Sequence, residues 1–137
     1  MAYFLRCLKF ILPAAETTLL LTVAALGIGL MAGLLLAVAR IYGGKAAAGL
    51  ASAYSRIVRS LPTLVVLFIF YSLSSSLLHI SGVTAALLAL SACTAAYQSE
   101  IFRGAIQSLG TGQMAAARSL GMTRPMAIRY VILPQAL

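Results

Sequence analysis

Apolar residues in this chain come in blocks too long to alternate with polar ones. Thr17–Ala39 is 23 residues without a charge. At about 1.5 Å per residue, a helix of that length runs about 34 Å, enough to cross a hydrocarbon core of about 30 Å. Leu61–Leu78 and Gly82–Gln98 are two further blocks. Pro62 opens the second, in a first turn where its missing N–H costs little. Between them, His79-Ile80-Ser81-Gly82 leaves room only for a tight turn, so these two helices are expected to be antiparallel neighbours. The pattern predicts an all-α membrane protein with three transmembrane helices.

Within the first block, Ala25, Gly29, Gly33 and Ala37 recur every four residues. This spacing places small side chains on one helical face, where a second helix can approach closely; chance in an Ala/Gly/Leu-rich stretch gives the same spacing. Arg6 and Lys9 ahead of a block that ends Ala37-Val38-Ala39 also fit a cleaved secretory signal. Such a signal carries about 7–15 apolar residues, and this block is longer and is followed by two more.

Composition agrees with the pattern. Of 137 residues, 62% are hydrophobic and 9% charged, against about 25% charged in a soluble domain. Ten basic residues face two acidic ones, giving +8. No basic cluster is interleaved with aromatics, so nucleic acid is excluded as a partner, and the charge reports membrane topology and anionic headgroups instead. Arg40, Lys45, Arg56 and Arg59 lie between the first two blocks, and Arg103, Arg118, Arg124 and Arg129 follow the third. The turn between the second and third blocks has no Lys or Arg. Three spans put those eight residues on one side and Arg6 and Lys9 on the other, so the positive-inside rule predicts an extracytoplasmic N-terminus.

Little catalytic chemistry is on offer. One histidine, His79, and two carboxylates, Glu16 and Glu100, supply neither an acid/base pair nor a metal site, and no GxxxxGK[ST] loop is present. The chain is therefore expected to be no enzyme and to hold no cofactor. His79 reads as an interfacial residue. Cys7 and Cys93 read as small apolar residues without a metal or disulfide role. Glu16 reads as a charge at the start of the first helix, favoured by the macrodipole. Glu100, three residues before Arg103, reads as an interfacial ion pair or a gating residue.

The segment after the third block differs from what precedes it. Gly110, Gly112 and Gly121 interrupt it. Gln113–Leu120 is predicted to form two short helical turns, with Gly121 as the C-terminal cap. Thr123 is expected to cap a further helix whose first turn accepts Pro125. Met126, Tyr130, Val131 and Leu133 would give that helix an apolar stripe before Pro134 disturbs it.

Several dispersed motifs in order then carry a resemblance. Arg59-Ser60-Leu61-Pro62-Thr63-Leu64-Val65 resembles the opening of the second core helix in ABC importer permeases of the polar amino acid uptake family, the histidine/glutamine/arginine type. Ala96-Tyr97-Gln98-Ser99-Glu100-Ile101-Phe102-Arg103-Gly104, with Ile106-Gln107-Ser108, resembles the next signature. Gly112-Gln113-Met114-Ala115-Ala116-Ala117-Arg118-Ser119-Leu120-Gly121-Met122 resembles the family's ATPase-docking loop, and Val131-Ile132-Leu133-Pro134-Gln135-Ala136-Leu137 its end. There are departures: Ala115 holds the docking motif's Glu position, Gly110-Thr111 replaces a Pro-Lys, and Val131 replaces an isoleucine. Family members continue for two more spans, so residues 1–137 resemble one partial permease domain, the N-terminal three-fifths of a five-span type I subunit. In that case part of the helices' packing surface is expected to face lipid, including the Gly29/Gly33 face if that face is an interface.

The resemblance implies a permease subunit in the bacterial inner membrane, importing polar amino acids by alternating access. It implies a cytoplasmic ABC ATPase, a second permease subunit and an extracytoplasmic amino-acid-binding protein as partners. Gln113, Met114, Ala115, Ala116, Ala117, Arg118, Leu120 and Gly121 would dock the ATPase. Small side chains at Ala115–Ala117 would allow close approach there, and Met114, Leu120 and Met122 would fill an apolar cleft. A small three-span scaffold or interaction protein without transport activity is the alternative.

Overall fold

The computed structural model describes residues 2–74 and 79–136, with side chains from Lys9 onward except that of Phe10. In chain order the elements are α1 (Ala2–Tyr42), α2 (Lys45–Ser60), α3 (Thr63–Leu73), α4 (Gly82–Ser108), α5 (Gly112–Ser119), α6 (Arg124–Ala127), a π-helical turn (Ile128–Ile132) and α7 (Leu133–Ala136). No strand occurs among the described residues.

Helix α1 is longer than the apolar block that predicts it. It is already helical across Arg6 and Lys9 and runs 41 residues. Glu16 consequently lies well inside the helix, exposed, and no acidic residue occupies the first turn, so it is not the N-terminal helix charge expected above. Three hydroxyls in this stretch bond back along their own helix: Thr17 to the Pro13 carbonyl at 3.1 Å, Thr18 to Ala14 at 2.9 Å and Thr22 to Thr18 at 2.8 Å. Satisfied in this way, they can face hydrocarbon without a stranded donor. Ile11–Tyr42 is, among the described residues, the one helix long and apolar enough to cross a membrane unaided. Helices α2 and α3 meet that test only as a pair, and they are bent by 106° at Leu61-Pro62.

Helix α4 is the hub. It packs on α1, α2 and α3, and its buried residues are mostly small: Ala85, Ala89, Ser91, Cys93, Ala95, Ala96 and Ser99. Its 27 residues extend about 40 Å. One side of it is packed against these helices, while Val83, Leu88, Tyr97 and Ile101 on the rest of its surface are exposed.

The α1–α4 contact is made by the small-residue face. Ala25, Gly29, Gly33 and Ala37 are all buried. A Cβ added at Gly29 would stand 2.5 Å from the Thr94 Cβ, and one at Gly33 would stand 2.7 Å from the Gln98 Cβ. Neither gap admits a methyl group, so glycine sets how closely the helices approach. This corrects the expectation that the Gly29/Gly33 face lies open to lipid: α4 of the same chain covers it.

Val66, Ala89 and Cys93 form a buried cluster between α3 and α4, flanked by Val58, Leu67 and Phe70. Ser81 caps α4, its hydroxyl accepting from the Thr84 N–H at 3.2 Å. The turn ahead of it includes His79 at φ 48°. The end of the second predicted span, Ser75–Leu78, falls outside the described residues.

Helix α2 lies between the first two predicted spans, where the apolar pattern predicts no helix. Its period is helical, with Ala51 and Ser55 buried four residues apart, but its inward face is made of Ala and Ser. A search for long apolar runs passes over such a face.

Candidate functional site: an ion cluster and a self-capped loop

Where α1, α2 and α4 converge, Glu100 gathers three guanidinium groups. Oε1 lies 2.8 Å from Arg40 Nη1 and 3.3 Å from Arg59 Nη1. Oε2 accepts from Arg103 Nε at 3.0 Å and Nη2 at 2.8 Å. The Arg40 side chain is only 10% exposed and that of Glu100 20%. Arg40 Nη1 has no aligned hydrogen-bond acceptor, so its link to Glu100 is charge at short range rather than a directed bond. Arg40 Nε donates to Ser52 Oγ at 3.2 Å. The Arg59 guanidinium lies over the Tyr97 ring, 5.6 Å from its centroid, and Arg103 also reaches Gln107.

Glu100 lies two residues beyond the third predicted span. Burial alone would raise its pKa, but the hydrogen bonds from Arg103 and the close charges of Arg40 and Arg103 outweigh burial and hold the carboxyl below its ordinary range. Nearby, the Ser55 and Ser99 hydroxyls are 2.8 Å apart, and the Tyr54 hydroxyl donates to the Ala92 carbonyl at 2.9 Å. Sequence spacing found the Glu100–Arg103 pair. Arg40 and Arg59 were invisible to it, because each is brought in by a different helix.

The second feature is the loop beyond α4. Gly121 sits at φ +81°, its N–H bonding the Arg118 carbonyl at 3.0 Å while the Met122 N–H bonds that of Ala117 at 3.2 Å. This pairing is a Schellman motif, and it satisfies carbonyls that the end of α5 would otherwise leave open. Arg118 Nη1 adds a bond to the Met122 carbonyl at 3.2 Å. Gly110 turns the chain out of α4 at φ +69°. Thr123 occupies the N-cap of α6 and Pro125 its first turn, but the Thr123 side chain makes no capping bond.

The loop has a small core of its own. Helix α5 packs on α6 and on the π turn, and Ala117, Ala127 and Ile132 are the buried residues of these elements, at 3%, 0% and 2% exposure. Two expectations change here. Ala117, read as a docking residue, faces into the loop. The stripe through Met126 and Tyr130 is largely exposed, at 46% and 63%, because the π turn shifts the register and Ala127 and Ile132 turn inward instead. That turn precedes Pro134. The Leu133 N–H bonds the Ile128 carbonyl, five residues back, a wider spacing that eases entry of a ring lacking an N–H.

The remaining residues of the docking set divide clearly. Gln113, Ala115, Ala116, Arg118 and Gly121 are exposed, as is Leu120 at 80%, and Met114 is half-buried. An outward patch of small and apolar side chains is thus fixed on a short helix whose end is locked by glycine. Behind it, a cavity of about 410 Å³ separates the loop from the ends of α1 and α4, with Tyr42, Ile106 and Met114 in its wall. Arg124 stacks on Tyr42 at 5.4 Å.

A long apolar helix, a small-residue hub and an appended self-capped loop make up an all-α fold. The chain belongs to the family described as the binding-protein-dependent transport system inner membrane component, whose model matches residues 11–137. It is 38% identical over 138 residues to the glutamate/aspartate import permease protein GltK of Escherichia coli O6:H1, an alignment covering 94% of this chain and 62% of GltK. It is likewise 38% identical over 133 residues to the glutamine transport system permease protein GlnP of Escherichia coli K12, covering 95% of this chain and 61% of GlnP. Among solved structures, an amino acid ABC transporter crystallised with histidines superposes with a TM-score of 0.78 at 40% identity, over 97% of this chain and 64% of the other. The MetNI methionine ABC transporter, in inward-facing form, superposes with a TM-score of 0.67 at 30% identity, over 89% of this chain and 58% of the other. The chain thus spans about three-fifths of the length of these relatives.

Proposed function

We propose that this chain is part of the permease subunit of an ATP-driven importer of polar amino acids. In this reading Thr17–Ala39, Leu61–Leu78 and Gly82–Gln98 cross the inner membrane with the N-terminus extracytoplasmic. Length alone suits α4 to a span, and its polar positions are tolerable because other helices cover them. The substrate path lies among these helices and those of a second permease subunit, and an extracytoplasmic binding protein delivers the amino acid. A cytoplasmic ATPase drives alternating access through α5.

The observation that carries this reading is the outward patch of α5. Ala115 and Ala116 permit close backbone approach, Leu120 offers an apolar anchor, and the Schellman cap makes the patch rigid enough to transmit force. The alternative, a scaffold with the same helices and no transport, gives α5 no partner, and the family match disfavours it.

Co-purification tests the reading. The chain, expressed with an ATPase of an amino acid importer, should retain it through detergent extraction. Ala116→Glu or Leu120→Asp should release the ATPase while membrane insertion stays at the parental level, since both side chains are exposed and neither supports the fold. Retention of the ATPase by both variants would refute docking through α5.

A further inference from the structure

Helix α2 packs on α4 and α1, and together they leave two of its three faces exposed. Ala51 and Ser55 form the packed face. A second face carries Lys45 and Arg56. The third presents Leu50 and Ile57, seven residues and so about two helical turns apart, at 75% and 61% exposure. Arg59 belongs to the Glu100 cluster, but among the described residues neither Lys45 nor Arg56 has an acidic partner. Arg56 Nε only bonds the Ser52 carbonyl of its own helix. No residue from 41 to 99 is acidic, so Lys45 and Arg56 have no counter-charge in the surrounding sequence.

The 106° bend fixes what this face can reach. Helix α3 is apolar on all sides and suits the membrane normal. With α3 upright, α2 lies close to the plane of the membrane. Treating α2 and α3 as one straight span would carry Lys45 and Arg56 into hydrocarbon, which is costly. Laid flat, the same helix puts its cations at headgroup depth and its two aliphatic side chains at the acyl boundary.

We propose that α2 is an interfacial anchor that binds anionic phospholipid, with Lys45 and Arg56 on the headgroup phosphates and Leu50 and Ile57 in the acyl boundary. The proposal rests on the chain's crossing the membrane as read above. Charge complementarity selects the occupant: a cytoplasmic leaflet is the one extended anionic surface that a helix in this plane must touch.

Spin labels decide it. Single cysteines replace Leu50, Ile57, Lys45 and Val23 in a Cys7→Ser/Cys93→Ala background. The protein is reconstituted in vesicles of phosphatidylglycerol and phosphatidylethanolamine, or of phosphatidylcholine alone. Val23, 69% exposed on α1, reports the membrane reading itself and should be relaxed by oxygen and not by a water-soluble nickel chelate. Labels at Leu50 and Ile57 should follow Val23, at shallower depth, while a label at Lys45 should respond to nickel. Water-accessible labels at Leu50 and Ile57 with Val23 still in lipid would overturn the anchor alone. Labels shielded from both relaxers would overturn it too, by showing a protein partner on the face. Water access at Val23 would overturn the membrane reading. In mixed vesicles, quenching of a fluorophore at Leu50 by brominated phosphatidylglycerol should exceed that by brominated phosphatidylethanolamine. Lys45→Gln and Arg56→Gln should each cut that preference by roughly fivefold; an unchanged preference would remove the electrostatic part of the proposal.

Discussion

At the scale of single residues, Glu100 carries all three ion pairs found among the described residues. It is one carboxylate among three guanidiniums, and Arg40 is nearly sealed from solvent. Glu100→Gln would leave the buried Arg40 without a counter-charge, which should cost about 2–4 kcal/mol of stability. Pairing it with Arg40→Gln should cost less than the sum of the two single changes. Thermal unfolding in detergent reads both, and strict additivity would contradict the cluster. The pH sign follows from the lowered pKa of Glu100, whose ordinary value is 4.5. Its contribution is fully present above about 4.5 and is lost as pH falls through the lower folded value. The Glu100→Gln variant should therefore lose less stability on acidification than the parent. The glycines of α1 give a second test with an internal control. Gly33→Ala should destabilise by about 1–3 kcal/mol through overpacking, because its Cβ would meet the Gln98 Cβ at 2.7 Å. Gly27→Ala meets nothing within 4 Å and should be neutral or stabilising by up to about 1 kcal/mol. Equal effects at the two positions would show that the close approach is not what glycine provides.

At the scale of elements, legibility depended on how local each signal was. The small-residue face of α1 was readable because a four-residue spacing is a local property, and Gly121 because a left-handed cap leaves a glycine just past a helix. Helix α2 was not readable, since its buried face is Ala and Ser and its cations looked like those of a loop. Which way Ala117 faces could not be read from a run of three alanines, because the choice is made by Ala127 and Ile132 in elements further along. The structure therefore separates two changes that the sequence made equivalent. Ala117→Glu should loosen the loop itself, seen as faster proteolysis between Gly110 and Thr123, because a carboxylate enters a site 3% exposed. Ala116→Glu should leave proteolysis unchanged and affect ATPase retention alone. Gly121→Val should resemble Ala117→Glu, since a β-branched residue resists φ +81°. Ala115→Glu, at an exposed position, should strengthen ATPase retention by offering a carboxylate to a basic partner. The reverse assignment of the Ala116 and Ala117 effects would mean that α5 is rotated about its axis in the assembled transporter.

At the scale of the whole molecule, the distribution of charge and the arrangement of helices have to agree. Arg40, Arg59 and Arg103 come from three helices and meet on one carboxylate, so the ends of α1 and α2 and the Glu100 region of α4 must lie at one level. The basic residues of α5 and α6 follow directly from α4. The turn at His79–Gly82 joins the opposite ends of α3 and α4 and carries no cation. A single cluster thus gathers at one level the segments that the positive-inside rule assigns to one side, and the uncharged turn lies at the other. Alkaline phosphatase, active only outside the cytoplasm and inserted so that the chain continues after it, reads this directly. Fusions at Lys45 and Thr111 should be inactive, and a fusion at Ser81 should be active. Activity at Lys45 together with silence at Ser81 would invert the molecule and place α5 where no ATPase could reach it. Neutralising Arg118, Arg124 and Arg129 together should weaken the charge asymmetry without touching the cluster. If inter-helix charge pairing holds the arrangement once formed, the Ser81 fusion should keep its activity in that variant and lose it only when Glu100→Gln is added. Loss with the three arginine changes alone would show that the loop charges, and not the Glu100 cluster, fix the orientation.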